Sequence, residues 1–177
     1  TKHTWEQLPE KACSAEDMMN KTEEDDHWAS LNADSIIMQF EVKGYTARHV
    51  VITGGEPCLY DLRPLTAALE ARGYQCQIET SGTQPVQCSE KTWVTISPKV
   101  NMRGGYDVLT PSLLRADEVK HPVGRQRDID ELDLLLAKLP GDKQPVVALQ
   151  PISQKPAATA LCIETCIARN WRFSMQT

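Results

Sequence analysis

The sequence predicts an α/β protein built on a parallel sheet, and three observations support this prediction. Short runs rich in β-branched residues alternate along the chain with longer stretches that have helical spacing. Several helical stretches end at Gly or Asn, which tolerate the left-handed backbone of a helix C-cap. Polar segments with small residues follow the strand runs. This alternation is typical of a parallel sheet, either open and doubly wound or closed as a barrel.

The elements follow one another in a regular order. We expect helices, with apolar residues on one face, at 35–43, 62–72, 129–139 and 157–169. We expect strands at 49–52, 76–79, 93–96, 118–121, 145–149 and 171–175. Three helix ends share a pattern of a basic residue, then Gly or Asn, then an aromatic residue, at 43–45, 72–74 and 169–171. Such ends suit both the left-handed cap and the helix dipole.

The 177 residues are enough for one domain with a sizeable core, and we expect a single domain over 1–177. Within it, the segment from about 5 to 45 fits the repeating pattern less well and is interpreted as a variable insertion. The chain starts at Thr1 without a Met and ends within a predicted strand. We therefore interpret it as a piece of a longer protein.

The composition excludes several classes of protein. A net charge of -5 and a pI near 5.4 argue against a nucleic-acid-binding surface, which needs a basic patch. The apolar runs are too short to span a membrane. Six cysteines are too sparse for a disulfide scaffold, so we expect reduced thiols in a cytoplasmic protein.

The polar segments that follow the strands are the candidate site, because ligands of parallel α/β folds bind at the carboxyl ends of strands. The first of these segments is Thr53-Gly54-Gly55-Glu56-Pro57. Two residues without Cβ atoms let a ligand approach the backbone closely, and Glu56 is suited to hold an ammonium group. For an isolated Gly-Gly pair, however, the commoner reading is a tight turn with an exposed Glu.

Other chemistry-bearing residues have simpler interpretations. Cys162 and Cys166 are one helical turn apart without a nearby third ligand, which favours buried packing over metal binding. His121 stands near a strand end, where it either lines the site or packs. The turn at Gly54 matches neither a dinucleotide-binding fingerprint nor a P-loop, because the required spacing is missing.

Six segments, taken together, carry a resemblance to a known family: VVITGGEP, IETSGT, VTISPKVN, EVKHPVG, ALQPISQ and CIETCIARNWRFSMQT. The chain resembles the 7-carboxy-7-deazaguanine synthases of the radical S-adenosylmethionine superfamily. The resemblance implies an incomplete α/β barrel, a [4Fe-4S] cluster, S-adenosylmethionine and Mg2+. It also implies conversion of 6-carboxy-5,6,7,8-tetrahydropterin to 7-carboxy-7-deazaguanine with loss of ammonia, in the route to queuosine.

The resemblance also assigns roles to single residues. Thr53 matches a substrate-binding position, and Thr1 matches a Thr whose hydroxyl binds Mg2+. The positions that match S-adenosylmethionine-binding residues are Gly54, Gly55, Glu56, Ser97, Pro98, Lys99 and Gln150. The three cluster cysteines of the family have no counterpart among the six cysteines of this sequence.

The resemblance further implies a homodimer and a reducing partner such as flavodoxin, with neither nucleic acid nor membrane as a direct partner. Two alternatives stay open from the sequence. One is a radical S-adenosylmethionine activating enzyme that acts on a partner protein. The other is a non-catalytic binding or interaction protein that has lost the cluster.

Overall fold

A computed structural model describes residues 7–23, 26–99 and 106–175 of the chain. The predicted Mg2+ residue, Thr1, lies outside these described residues, as do the last two residues, Gln176 and Thr177. All statements about the fold and the site refer to the described ranges.

Six parallel strands form one sheet in which spatial order follows chain order. They are β1 (His49–Ile52), β2 (Gln75–Thr80), β3 (Trp93–Ile96), β4 (Glu118–Val123), β5 (Val146–Pro151) and β6 (Arg172–Phe173). Each strand pairs with the next one along the chain, so the order never reverses as it does in a doubly wound sheet. The structure therefore favours the barrel alternative, in the form of an open, incomplete barrel.

The helices are α1 (Ala15–Met19), α2 (Ala33–Val42), α3 (Arg63–Ala71), α4 (Thr110–Arg115), α5 (Gln126–Leu136) and α6 (Pro156–Arg169). Short 3-10 turns lie at Pro9–Lys11, Pro57–Leu59 and Ile152–Gln154. Three predicted helix ends are confirmed by positive φ angles, 65° at Gly44, 82° at Gly73 and 53° at Asn170. These residues stop α2, α3 and α6 because a left-handed residue cannot continue the helix.

One face of the sheet packs against the helices and forms the apolar core. Its strand residues include Ile78, Val94 and Leu149, all fully buried. They alternate along the strands with residues of the opposite face, as the pleat requires. Ile129 and Leu132 of α5 join this core. Connections between neighbouring parallel strands are right-handed almost without exception, a rule that places successive helices on a common side.

The opposite face of the sheet is mostly polar, and we call it the inner face. Strand pairing and alternation assign to it His49, Val51, Gln75, Gln77, Glu79, Trp93, Thr95, Glu118, Lys120, Pro122, Val146, Ala148, Gln150 and Arg172. In a barrel this face lines the interior. A polar lining is suited to a ligand rather than to a dry core.

The N-terminal part contributes to the core as well. Ile37 of α2 is 1% exposed and packs in a cluster with Leu69, Tyr74 and Cys76. Ser14 begins α1 with a capping box, in which Asp17 and Ser14 satisfy each other's backbone N–H groups. Part of the segment from about 5 to 45 is therefore packed against the sheet.

Most element bounds lie within two residues of the prediction, and the main differences are in α5, β6 and α4. Helix α5 starts at Gln126, three residues before the predicted start, because Asp128 accepts hydrogen bonds from the N–H groups of Gly124 and Arg125. Strand β6 is only two residues long. Helix α4 was not predicted. Among the described residues, no helix is long and apolar enough to cross a membrane.

Candidate active site at the carboxyl ends of the strands

The turn after β1 carries Thr53, Gly54, Gly55 and Glu56 and leaves open space beside its backbone. Gly54 has a φ of 134°, a conformation that residues with a Cβ rarely adopt. A methyl group at Gly54 would meet no other atom of the described residues within 4 Å. The glycine is thus required by the backbone conformation rather than by crowding, and the free space is available to a ligand.

Glu56 connects this turn to the end of β2. Its Oε1 accepts hydrogen bonds from Thr80 Oγ1 at 2.5 Å and from the N–H of Cys58 at 3.1 Å. Its Oε2 accepts from the N–H of Ser81 at 3.0 Å and from the Ser81 hydroxyl. A carboxylate has about four lone-pair sites, and these donors occupy them. A ligand ammonium group would have to displace one of these donors.

The hydrogen bonds also keep Glu56 ionised. Burial by itself raises the pKa of this carboxyl. The hydrogen bonds from Ser81, Thr80 and the backbone N–H of Cys58 outweigh burial, and the pKa lies below its ordinary value of 4.5. The side chain therefore holds the turn in place as an anion at neutral pH.

The segment after β3 is tied to the same point. The N–H of Ser97 donates to the carbonyl of Thr80 at 2.7 Å, on the other side of β2 from Glu56. Pro98 is buried and Lys99 is exposed. The structure thus brings the two predicted S-adenosylmethionine-binding segments, 54–56 and 97–99, together around Thr80 and Ser81.

Gln150 lies on the same edge of the sheet, two strands beyond Ser97. It is the second-to-last residue of β5, pairs with Pro122 of β4 and is only partly buried. All described residues of the predicted site therefore lie at the carboxyl ends of β1, β3 and β5. They share one edge of the sheet. The end of β2 lies between the residues that follow β1 and those that follow β3.

An ion pair on the inner face lies beside this edge and was not predicted. Lys120 Nζ contacts Glu79 Oε1 at 2.8 Å and Oε2 at 2.6 Å. Gln77 Nε2 donates to Glu79 Oε1 at 3.1 Å and to Thr95 Oγ1 at 3.2 Å. The signal in the sequence is the alternation within QCQIET and EVKHPV, which places these polar residues on one face.

His121 does not line the site. Its side chain belongs to the helix-packed face of β4 and is 2% exposed. Nδ1 has no hydrogen-bond partner among the described residues. Burial lowers the pKa of His121 and outweighs the opposing effects of Asp128 and Glu131. Of the two interpretations from the sequence, packing is the one that the structure supports.

The cysteines of α6 pack in the core as predicted. Cys162 is fully buried and Cys166 is 6% exposed. Burial raises the pKa of the Cys162 thiol to about 11, so it stays protonated at neutral pH. Cys162 therefore acts as a small apolar side chain, and the Cys166 thiol also donates to the carbonyl of Arg172 at 3.1 Å.

These observations define an α/β protein with a candidate small-ligand site at the carboxyl ends of parallel strands. Over 177 residues it is 62% identical to the 7-carboxy-7-deazaguanine synthase of Escherichia coli strain K12, covering 100% of this chain and 79% of that protein. The synthase of Buchnera aphidicola subsp. Schizaphis graminum is 44% identical over 176 residues, which are 99% of this chain and 78% of that protein.

The same likeness holds in three dimensions. The crystal structure of QueE from Escherichia coli matches with a TM-score of 0.95 at 62% sequence identity, over 100% of this chain and 78% of that one. No family model matches the chain. The chain belongs to the 7-carboxy-7-deazaguanine synthase family, and its open parallel sheet is the partial barrel of the radical S-adenosylmethionine enzymes.

Proposed function

We propose that this protein converts 6-carboxy-5,6,7,8-tetrahydropterin to 7-carboxy-7-deazaguanine with loss of ammonia, in queuosine biosynthesis. The observation that carries the proposal is the 62% identity to the Escherichia coli synthase across all 177 residues. The predicted site residues support it, because those that are described share one edge of the sheet. The chain spans 79% of that relative's length, so the test uses the full-length protein.

The turn after β1 and the segment after β3 are proposed to bind S-adenosylmethionine. Gly54 offers backbone groups next to open space, and Gly55 beside it is exposed. Ser97-Pro98-Lys99 lies across β2 from them, and Gln150 lies further along the same edge of the sheet. S-adenosylmethionine bound there would supply the radical chemistry of the reaction. The role of the chain is to hold the cofactor and the substrate in register and to exclude water.

Glu56 has a more specific role in this proposal. Its carboxylate accepts hydrogen bonds from Thr80, Ser81 and Cys58, so it fixes the position of Gly54 and Gly55. Thr53 lies at the start of the same turn. It follows Ile52, which pairs with Ile78, and so stands level with Glu79 on the neighbouring strand. We assign Thr53 to binding the pterin.

The family's two metal groups are the [4Fe-4S] cluster and Mg2+. Among the described residues, no cluster of three or more His, Cys, Asp or Glu side chains is placed to hold a metal ion. The described residues therefore do not fit the [4Fe-4S] cluster, and no role assigned here passes through it. Thr1 is proposed to give its hydroxyl to Mg2+, a hard cation that prefers oxygen ligands.

The expected partners follow from the family. We propose a homodimer that receives electrons from a protein such as flavodoxin and acts on a small-molecule substrate without binding nucleic acid or membrane directly. The cytoplasmic location predicted from the cysteines stays a prediction.

The test is anaerobic reconstitution of the full-length protein with iron and sulfide, followed by assay with the carboxypterin and S-adenosylmethionine. We expect 5'-deoxyadenosine and 7-carboxy-7-deazaguanine to form only when the pterin is present. Iron uptake with indifference to the pterin would overturn the proposal in favour of an activating enzyme. A full-length protein that takes up no iron would indicate the non-catalytic alternative.

A further inference from the structure

The ion pair between Lys120 and Glu79 lies on the inner face of the sheet, apart from the apolar core. Their side chains are 21% and 23% exposed. Both carboxylate oxygens of Glu79 contact the same ammonium group, and Gln77 binds one of them as well. Three donors from two different strands therefore fix the plane of one carboxylate.

Stability alone does not account for such a pair. Removing two charges from water costs about as much free energy as their attraction returns, and apolar side chains of similar size often replace such pairs without loss. The pair also lies on a face that the helices leave uncovered. Its position therefore points to a functional role on the inner face.

That role is indicated by the neighbours of Glu79. Thr53, to which we assign the pterin, stands level with Glu79 because Ile52 pairs with Ile78. On the other side, Glu79 pairs with Thr95 of β3, two residues before Ser97. Glu79 thus lies between the two segments proposed to bind substrate and cofactor, one residue before the end of β2.

We propose that Lys120 is a positioning residue for the synthase reaction. It holds Glu79 in one orientation, so that the remaining lone-pair direction of the carboxylate accepts a hydrogen bond from the bound ligand. Lys120 supplies two donors and Gln77 one, which leaves about one of four acceptor directions free. Lys120 acts through Glu79 and does not touch the reacting atoms. This inference rests on the function proposed above.

The experiment compares the wild type with Lys120→Met, Lys120→Arg, Glu79→Gln and the double variant Glu79→Gln/Lys120→Met, all full-length and cluster-loaded. Arg172→Met is the matched control, since Arg172 is a cation of the inner face whose own pair, with Glu118 at 3.8 Å, lies near the opposite ends of the strands. Pterin binding is measured by calorimetry without reductant, and kcat and KM are measured with it. Thermal unfolding is recorded for each protein.

We expect Lys120→Met to lower kcat/KM and pterin affinity by about 10- to 100-fold, because a misplaced group near the substrate has effects of this size. Lys120→Arg should recover most of the loss. The double variant should bind no more weakly than Glu79→Gln, since Lys120 acts only through Glu79. Arg172→Met should behave as the wild type.

Two results would overturn the inference. In the first, Lys120→Met lowers the unfolding temperature but leaves binding and turnover unchanged. In the second, the double variant binds and turns over like the wild type, which would make the pair purely structural. Should Lys120→Met fail to fold, the double variant, which has no unpaired charge, still decides whether the pair is purely structural, and Lys120→Arg reports on Lys120. A wild type that ignores the pterin would instead overturn the proposed function, and this inference with it.

Discussion

The two faces of strand β4 differ sharply, although their residues alternate within six positions. On the helix-packed face, Val119, His121 and Val123 are 0%, 2% and 0% exposed. On the inner face, Glu118 and Lys120 pair with charged partners from other strands. The same strand thus buries apolar side chains on one side and holds charged side chains in ion pairs on the other.

This difference explains why substitutions on the two faces should have different consequences. The helix-packed face gains its free energy from removing apolar area from water, so it responds to lost volume. On the inner face, polar groups form hydrogen bonds and ion pairs with one another. A substitution there leaves a polar group without its partner. We therefore expect substitutions on the helix-packed face to lower stability and substitutions on the inner face to weaken ligand binding.

The largest expected effect is on the helix-packed side. Leu132 of α5 is fully buried in the main core. Leu132→Ala should lower the free energy of unfolding by about 2–5 kcal/mol, through lost apolar burial and the cavity left behind. The control is Val51→Ala on the inner face, where Val51 is 48% exposed. Urea unfolding that shows equal losses for both variants would contradict the contrast between the faces.

The second effect concerns Glu56. Glu56→Gln replaces two acceptor oxygens with one and turns an amide NH2 toward the donors of Thr80 and Ser81. We expect about 1–3 kcal/mol lower stability at neutral pH, from donors left without a partner, and weaker S-adenosylmethionine binding. Glu41→Gln is the control, because Glu41 is an exposed carboxylate on α2 whose pair with Arg72 is 3.6 Å long.

The pH dependence sharpens this prediction. The pKa of Glu56 in the folded protein lies below its ordinary value of 4.5, so its contribution to stability is fully present above that pH. The contribution is lost as the pH falls through the folded-state pKa. The stability gap between wild type and Glu56→Gln should therefore shrink in acid. A gap that stays constant in urea titrations from neutral to acidic pH would show that the carboxylate charge is not involved.

The third comparison uses two glycines with positive φ. Gly54, at 134°, lies in the candidate site, while Gly44, at 65°, caps α2, and a methyl group at either position would meet no other described atom within 4 Å. Alanine at either position should cost about 1–3 kcal/mol of stability through backbone strain. Only Gly54→Ala should also weaken S-adenosylmethionine binding by calorimetry. Equal cofactor affinity in both variants would remove Gly54 from the proposed site.

Local features of the fold were predictable from the sequence. The bounds of β1 and β3 agree with the predicted 49–52 and 93–96, because compact runs with β-branched residues are bounded by polar residues. Gly44, Gly73 and Asn170 end their helices as expected. The start of α5 was misplaced because the apolar period begins at Ile129, whereas the Asp128 cap starts the helix earlier.

The inner-face pair shows what the sequence could not predict. Glu79 and Lys120 are 41 residues apart and belong to strands that do not pair with each other. Their contact depends on the registers of β2 with β3 and of β3 with β4, which are set by tertiary packing. The strand-end residues were predictable because topology alone places the carboxyl ends of parallel strands at one edge.

The smallest expected effect at neutral pH is at His121, the polar exception on the helix-packed face. Burial lowers its pKa from 6.5, so folded and unfolded chains are both neutral there above that pH. Below it the unfolded chain binds a proton that the folded chain resists, and stability falls by up to about 1.4 kcal/mol per pH unit.

His121→Leu removes this group together with its Nδ1, which has no partner among the described residues. The variant should therefore unfold like the wild type at neutral pH and lose less stability as the pH drops below about 6.5. Urea unfolding followed across this range measures the difference directly. If the wild type and the variant lose stability with the same slope, the buried imidazole is not the titrating group. The helix-packed face would then tolerate a charge that its apolar surroundings should exclude.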